Sequence, residues 1–291
     1  LSAGGNPVVL GANHGITLGA SGGTIWQFGT TAMVVNSPIT GPGQLTIADD
    51  TGVVLLNSDN NTYTGGTQIN SNLAARGMLV VGAGGATGSL PAGDVFFNSG
   101  AGFARLYLFK TTDMTLANNF TGPGQIMQVG GGTTTLTGNN VTGQTTLVGG
   151  GRLRADFTDP NKSPIGSGTP LQVAAGTFEY VAPAGDNVLR LGALTDTTVA
   201  APTTAVYIGG TIGDGAIQST YGGSGFQELN FASLGGRTAG MTTSFITSGG
   251  VNGVTNRISF QNGPAFNSVI GAAYLFNGSD FAAYDEGGFV R

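Results

Sequence analysis

The chain has 291 residues, of which 54 are glycine, 9% are charged and none is cysteine. The absence of cysteine excludes disulfide bonds and thiolate metal sites. The formal net charge is −5, and the ten Lys and Arg residues are scattered, so the clustered basic charge of a nucleic-acid-binding surface is missing. No apolar run approaches the ~20 residues that a membrane-spanning helix needs.

The composition predicts an all-β fold. Hydrophobic residues make up 40% of the chain, which is enough to form a long buried core. Glycine, threonine and asparagine replace charge on the surface, and glycine costs a helix about 1 kcal/mol relative to alanine. These residues favour strands and tight turns instead.

Short apolar segments follow one another from the N-terminus, and a Gly, Asn or Pro turn follows each of them. Their residues are mostly β-branched or aromatic, which is typical of β-strands. The first five segments end at Leu18, Phe28, Val35, Ile47 and Leu56. This spacing suits the rungs of a parallel β-helix, which take roughly 20 to 25 residues each.

An internal repeat is the clearest feature of the sequence. The segment Thr-Gly-Pro-Gly-Gln begins at Thr40 and again at Thr121, 81 residues later, and Met33 and Met114 share this offset. The repeat predicts units of about 80 residues with three or four rungs each, at about 33–113 and 114–190. We assign residues 1–208 to this β-solenoid. Residues 209–291 lose the register and are predicted to form irregular rungs or a small β-module.

Pro, Gly and Asn mark the predicted turns. In Gly41-Pro42-Gly43, the proline sets φ near −65° and the second glycine accepts a positive φ, which predicts a type II turn. Asn pairs at 60–61 and 139–140 mark further turns. Equivalent asparagines of successive rungs are expected to stack into ladders along the axis.

The segment Asn60-Asn-Thr-Tyr-Thr-Gly-Gly-Thr-Gln-Ile-Asn70, followed by Gly77-Met-Leu-Val-Val81, resembles the autotransporter-associated β-strand repeat, also called the passenger-associated transport repeat. This repeat occurs in autotransporter passengers and in giant surface proteins of Planctomycetes and Verrucomicrobia. Residues 277–285 resemble a segment that recurs between repeats in those giant proteins. The resemblance implies a right-handed parallel β-helix, export, and display outside the cell, and it supplies no catalytic residues.

The sequence does not predict an enzyme. His14 is the only histidine, and its Ala-Asn-His-Gly context indicates a surface turn. A glycosidase needs two carboxylates about 5 to 9 Å apart. The acidic residues lie at 49–50, at 59, at 156 and 159, and at 285–286, and in a Gly- and Asn-rich chain they are interpreted as turn residues. No catalytic, cofactor-binding or metal-binding residue is therefore assigned.

Three weaker candidates complete the sequence interpretation. Charges are densest at Arg152, Arg154, Asp156, Asp159 and Lys162, which we expect to form a salt-bridged, solvent-exposed loop. Calcium is the one metal ion with plausible ligands, at Asp49-Asp50 and Asp59-Asn60-Asn61. Trp26 and Tyr63 could stack on sugars, but a single tryptophan at strand spacing is expected in the core.

The sequence predicts a structural segment of an extracellular bacterial surface fibre or adhesin. Neither Leu1 nor Phe289-Val-Arg291 belongs to a charged amphipathic cap, although soluble solenoids need capping segments. Uncapped ends predict end-to-end stacking of copies into a fibre, or continuation into further repeats of a longer chain. The alternative function is a carbohydrate-active or carbohydrate-binding β-helix of the polysaccharide lyase or tailspike type, with surface glycans as partners.

Overall fold

A computed structural model describes residues 1–49, 52–71, 77–99, 104–198 and 213–291. These residues form strands, turns and bends without a helix, which confirms the all-β prediction. In the same residues, no helix meets the length and apolarity that a membrane span requires. The strands in chain order are β1 Ser2–Ala3, β2 Val8–Leu10, β3 Ile16–Thr17, β4 Gly23–Gln27, β5 Ala32–Val35, β6 Ile39–Thr40, β7 Leu45–Asp49, β8 Val53–Leu56, β9 Thr67–Ser71, β10 Met78–Val81, β11 Val95–Ser99, β12 Ala104–Leu108, β13 Met114–Leu116, β14 Phe120–Thr121, β15 Gly124–Gln128, β16 Thr133–Leu136, β17 Thr146–Val148, β18 Arg152–Asp156, β19 Leu171–Val173, β20 Gly176–Val181, β21 Asn187–Leu191, β22 Leu194–Asp196, β23 Asp214–Thr220, β24 Gln227–Arg237, β25 Thr242–Ser248, β26 Asn256–Asn262, β27 Ser268–Val269, β28 Tyr274–Phe276, β29 Asp280–Phe281 and β30 Ala283–Tyr284.

Three long sheets contain most of these strands. Sheet A has the order β1-β4-β7-β9-β11-β14, and sheet B runs β2-β5-β8-β10-β12-β15-β17-β19-β22-β24-β21, with β26 also beside β24. Sheet C has the order β13-β16-β18-β20-β23-β25-β28-β29. Two short pairs, β3-β6 and β27-β30, lie outside them. Among the described strands, the pairing is parallel except for β27-β30 and β28-β29.

The chain passes through the sheets in turn, and one such passage is called a circuit below. Strands β14, β15 and β16, for example, lie in sheets A, B and C. Gly23 of β4 lies opposite Leu45 of β7, and Leu45 lies opposite Thr67 of β9. Each strand therefore pairs with a strand of the next circuit, commonly about 20 to 30 residues later, a length typical of one repeat of a stacked architecture.

The core is a column of apolar side chains along the inner face of each sheet. In sheet B, Met33, Val54, Leu79, Leu106 and Ile126 lie opposite one another on consecutive strands. All five are at most 1% exposed. Burying one such side chain contributes about 1.5 to 3 kcal/mol, so the column stabilises every strand-to-strand contact along the stack.

Sheet B differs from the alternating pattern expected of a half-buried strand. In β16 the pattern holds, since Thr134 and Leu136 are buried and Thr133 is half-buried. In contrast, all four residues of β8 and all four of β10 are buried. A second apolar cluster, which includes Val53, Leu55 and Met78, lies on the outer face of sheet B. Continuous apolar runs of this kind are typical of parallel strands buried on both faces.

The two copies of the sequence repeat occupy different places in the fold. Met33 lies in β5 of sheet B, whereas Met114 lies in β13 of sheet C. Leu45 lies in sheet A and its counterpart Ile126 in sheet B. The repeated sequence therefore encodes a local strand–turn–strand unit that the chain uses at more than one corner of a circuit.

The type II turn predicted at Gly41-Pro42-Gly43 is wrong. The positive φ belongs to the glycine before the proline, with 106° at Gly41 and 85° at Gly122. A Cβ atom would lie 2.2 Å from the carbonyl oxygen of Leu18 at Gly41, and 2.1 Å from that of Phe97 at Gly122. Both glycines thus allow the corner to pass close to the backbone of the preceding circuit.

One ladder of side-chain hydrogen bonds, which includes Asn139 of the second predicted asparagine pair, runs along part of the stack. Asn119 Nδ2 donates to Asp94 Oδ1 at 2.9 Å, and Asn119 Oδ1 accepts from the backbone N of Asn139 at 3.1 Å. Asn139 Oδ1 in turn accepts from Ser163 N at 2.9 Å. The ladder joins four circuits and satisfies backbone donors at a corner where the sheet pairing is interrupted.

The expectation of an uncapped C-terminal end is wrong. Residues 263–291, called the C-terminal cap below, form the antiparallel pairs β28-β29 and β27-β30. Val290 N donates to Ile258 O at 2.8 Å, and the Tyr284 hydroxyl donates to Phe260 O at 2.8 Å and accepts from Phe260 N at 3.1 Å. The cap therefore satisfies backbone groups of β26 that a further strand would otherwise need to pair. At the other end, β1, β2 and β3 each have one neighbouring strand.

Candidate functional site

The densest charged cluster lies on the outer face of sheet C. Because β18 pairs with β20 in parallel, Arg154 lies directly opposite Glu179. Glu179 Oε2 accepts hydrogen bonds from Arg152 Nη1 at 2.7 Å and from Arg154 Nε at 2.9 Å. Gln218 Nε2 and Thr220 Oγ1, from the following strand, donate to Glu179 Oε1 at 3.2 Å and 2.8 Å.

Glu179 is thereby fully engaged by protein donors. Its side chain is only 3% exposed, and burial alone would raise the pKa of this carboxyl. The hydrogen bonds from Arg154, Thr220 and Arg152, with the charge of Arg154, outweigh burial and hold the pKa below its usual value. A carboxylate in this state has no proton to donate near neutral pH, so its chemistry fits a structural clamp rather than a general acid.

A polar groove borders this cluster. It has a volume of about 360 Å³ and is lined by Asp113, Met114, Thr115, Thr133, Thr135 and Arg154. Asp113 Oδ1 accepts from Thr133 N at 2.7 Å, which holds the carboxylate against the backbone of the next strand. The lining therefore supplies one carboxylate and one guanidinium, whereas glycoside hydrolysis uses a carboxyl pair across the bond.

The charge cluster predicted from the sequence divides into two parts. Residues 152–156 form strand β18 rather than a loop, and its arginines pair with Glu179 instead of Asp156 or Asp159. Asp156 Oδ1 accepts from Thr158 N at 2.9 Å, and Asp159 Oδ1 accepts from Asn161 N at 3.0 Å, so both aspartates hold turns as expected.

Glu179 was not identified from the sequence, because its arginine partners lie on another strand. The alternating Arg-x-Arg pattern was the available signal.

Two of the calcium ligands proposed from the sequence, Asp59 and Asn61, are engaged by protein groups. Asp59 Oδ1 accepts from Gly88 N at 2.9 Å and lies 3.6 Å from the Lys110 ammonium. Asn61 Oδ1 accepts from Ile39 N at 3.1 Å. A lysine beside the carboxylate disfavours a divalent cation there. Asp49 ends β7, and Asp50 lies outside the described residues.

The other titratable groups named from the sequence lie at turns and in the C-terminal cap. His14 lies exposed at a turn near the N-terminal edge, as expected. Asp285, in the C-terminal cap, accepts from Phe289 N at 2.9 Å and forms an ion pair with Arg291. Among the residues that the structure describes, no group of three or more His, Cys, Asp or Glu side chains is placed to hold a metal ion.

Asp196 is the most unusual carboxyl group of the chain. It lies in β22 with no exposed surface, and neither carboxylate oxygen has a partner in good hydrogen-bond geometry among the described residues, although the Tyr274 and Thr243 hydroxyls lie close by. Burial raises the pKa of this carboxyl above its usual value, and the Tyr274 and Thr243 hydroxyls and the Arg237 charge compensate only in part. The group is a local source of instability when it is ionised.

The two aromatic residues considered for sugar stacking differ in their environments. Tyr63 is 1% exposed, and its hydroxyl lies 2.7 Å from Thr67 Oγ1, so its ring lies in the core and is not placed to stack on a sugar. The prediction of a core position is wrong for Trp26, which is 40% exposed. The burial pattern of β4 places Ile25 in the core and Trp26 on the outer face, because neighbouring residues of a strand point to opposite sides.

The chain was compared with protein-family models, curated proteins and solved structures. No family model, curated protein or solved structure matches this chain significantly.

Proposed function

We propose that this chain is a structural β-solenoid segment of an extracellular bacterial surface protein. One observation carries the proposal. Parallel pairing from each circuit to the next runs along sheets A, B and C, with a continuous apolar column inside. Such an arrangement makes a rod whose length grows with the number of circuits, which suits a fibre or a stalk.

The handedness of the stack and the role of its outer contacts are part of the same proposal. We take the stack as a right-handed parallel β-helix, because parallel strand connections in one sheet are right-handed in about 98% of cases. The ion pairs around Glu179 and the asparagine ladder join successive circuits from the outside. They are expected to stiffen the rod rather than to act on a substrate.

The C-terminal cap changes how this segment would assemble. Stacking of copies through both ends would need two open edges, but the cap engages the backbone of β26. We therefore propose that copies do not stack through β26. A cavity of about 360 Å³ beside β2, β3 and β4 is lined in part by Leu10, Ile16 and Ile25.

Cell-surface labelling tests the proposal directly. Antibodies raised against the purified chain are applied to intact cells of the source bacterium, and bound antibody is located by immunogold electron microscopy. The expected result is label outside the cell envelope on fibrous projections, lost after mild surface proteolysis. Label confined to permeabilised cells would contradict the proposal. So would hydrolysis or lyase cleavage of polysaccharide by the purified chain that an Asp113→Asn variant abolishes.

A further inference from the structure

The outer face of sheet A carries exposed aromatic rings around a group of amide side chains. We propose that this face binds a neutral polysaccharide. The residues that form it, called the sheet A platform, are Trp26, Phe28, Gln68, Asn70, Phe96 and Asn98. This inference goes beyond the structural role, since a rod needs no ligand.

The strand register places these side chains in two adjacent columns. Gln68 of β9 lies opposite Phe96 of β11, and Asn70 lies opposite Asn98. Trp26 of β4 belongs to the same column as Asn70, separated from it by Ala48 of β7. Three strand spacings of about 4.8 Å separate β4 from β11, and Trp26 and Phe96 are also offset by about two residues along the strands. The aromatic ends therefore lie about 16 Å apart, a span that a short oligosaccharide can cover.

The aromatic rings are exposed although apolar surface favours burial. Trp26 is 40% exposed, Phe28 38% and Phe96 42%. Trp26 and Phe28 stack with their ring centroids 4.4 Å apart and 21° between their planes. The residues opposite Trp26 on its neighbouring strands are Ser2 and Ala48, which are too small to cover the indole. The stacked pair thus forms a rigid aromatic surface at one end of the platform.

The amides between the rings hold one another in place. Gln68 Nε2 and Asn98 Nδ2 both donate to Asn70 Oδ1, at 2.6 Å and 3.1 Å. A polar surface fixed before binding loses less side-chain entropy when a ligand arrives. Aromatic rings stack on the C–H face of a sugar ring, and amides exchange hydrogen bonds with its hydroxyls, so the two parts of the platform suit one kind of ligand.

The arrangement favours a neutral glycan over a protein or an acidic polymer. A protein interface has an apolar centre and a polar rim, whereas here the amides lie at the centre and the rings at the ends. The outward positions of β4, β7, β9 and β11 are Thr24, Trp26, Thr46, Ala48, Gln68, Asn70, Phe96 and Asn98. None of these carries a charge, so the platform has no cation to attract uronic acids or sulfated sugars.

The fluorescence of Trp26 measures binding at this face. Trp26 is the only tryptophan of the chain, so its emission reports on this platform alone. The purified chain is titrated with hydroxyethyl cellulose, xyloglucan and galactomannan, and with polygalacturonate as the acidic comparison. The proposal predicts a saturable emission change and protection from acrylamide quenching with at least one neutral polymer, and a much weaker response to polygalacturonate.

Three variants locate the effect. Phe96→Ala keeps the reporter and removes the ring at the far end of the platform, so we expect the Kd for the binding polymer to rise about tenfold. Phe281→Ala removes another exposed ring, 60% exposed in the C-terminal cap, and should leave the Kd unchanged. Trp26→Ala should abolish retardation of the chain in gels that contain the same polymer.

Several results would overturn the inference. They are the absence of a saturable response to all three neutral polymers, an equal response to polygalacturonate, or an unchanged Kd for Phe96→Ala. An emission shift that depends on protein concentration alone would mean that the platform is an interface between copies. Because binding is measured on the isolated chain, these outcomes are independent of where the protein is located in the cell.

Discussion

Glu179 shows how one buried carboxylate connects three strands of a sheet. It accepts hydrogen bonds from Arg152 and Arg154 on one neighbouring strand and from Gln218 and Thr220 on the other. We expect Glu179→Gln to lower the free energy of unfolding by about 2 kcal/mol, since hydrogen bonds to charged groups contribute more than neutral ones. Chemical denaturation measures the loss. Glu286→Gln, at an exposed turn, serves as the matched control and should change little.

Glu179 also predicts how the stability of the fold depends on pH. The pKa of Glu179 is lowered in the folded chain, so the folded state binds this proton less tightly than the unfolded state does. The contribution to stability is therefore complete above the unfolded pKa of about 4.3 and is lost as the pH falls through the lower folded value. The difference in unfolding free energy between wild type and Glu179→Gln should shrink in acid. A difference that stayed constant from pH 7 to pH 3 would contradict this origin.

For Asp196, the predicted change of stability with pH has the opposite sign. Its folded pKa is raised by burial, so its contribution to stability is complete below the unfolded pKa of about 3.9 and is lost as the pH rises through the folded value. The amide in the Asp196→Asn variant cannot ionise in either state, so the variant should be more stable than the wild type at pH 7 by on the order of 1 kcal/mol. Thermal unfolding at pH 7 and pH 4 measures this, with a smaller gain expected at pH 4. Destabilisation at pH 7 would show that the ionised carboxylate has a partner that the neutral amide cannot replace.

Single residues were predicted from the sequence with mixed success. The turn roles of Asp156 and Asp159 were recognised, because an aspartate beside Ser, Thr or Asn bonds locally within the turn. Glu179 and Trp26 were not placed correctly, because their environments depend on which strand lies beside them. That neighbour is about one circuit away in the sequence and follows from the register.

At the scale of strands and corners, the glycines before proline make a specific prediction. Gly41→Ala forces an alanine to a φ of 106° and brings its Cβ to 2.2 Å from Leu18 O. We expect a loss of about 2 kcal/mol or more in the unfolding free energy, from backbone strain and the clash together. Gly143→Ala is the matched control, since Gly143 has a φ of 65° but nothing within 4 Å of its Cβ position.

Comparing Gly41→Ala with Gly143→Ala separates backbone strain from the steric clash as causes of the lost stability. Strain alone should make Gly143→Ala mildly destabilising, and the additional loss in Gly41→Ala then measures the close approach of two circuits. Equal losses in denaturant unfolding would show that the corner at Gly41 is not packed against Leu18.

The sequence predicts strand existence better than strand placement. The five N-terminal apolar segments correspond to β3, β4, β5, β7 and β8. The 81-residue repeat, however, places matching strands in different sheets, as Leu45 and Ile126 show. Local hydrophobic patterns determine where a strand forms, but the sheet it joins depends on the lengths of all the corners before it.

For the whole molecule, the C-terminal cap holds the backbone of the last long strand, β26. Tyr284→Phe removes the hydroxyl that bonds both the backbone N and O of Phe260 in β26. Leaving both groups unpaired should cost about 1 to 3 kcal/mol, measured by chemical denaturation. Tyr221→Phe, whose hydroxyl bonds Gly225 O in an exposed turn, is the matched control. An unchanged stability for Tyr284→Phe would mean that water replaces the cap at this edge.

The cap was not predicted from the sequence, because the sequence was searched for a charged amphipathic segment. The cap instead uses antiparallel backbone pairing and the hydroxyl of Tyr284. Antiparallel pairing of β27 with β30 gives the last circuit a different ending from the parallel strands before it. The proposal of a structural function therefore rests on the continuous parallel stack and not on unpaired ends.

The stacking of circuits can be measured by the distance between Thr24 and Thr121. The two residues lie in the same column of sheet A, on β4 and β14, with β7, β9 and β11 between them. The chain has no cysteine, so Thr24→Cys and Thr121→Cys provide two unique sites for spin labels. Four strand spacings predict a backbone separation of about 19 Å, although nearly a hundred residues lie between the sites. A double electron–electron resonance distribution centred near 20 Å is the predicted result, and a distribution centred beyond about 40 Å would contradict the parallel stack.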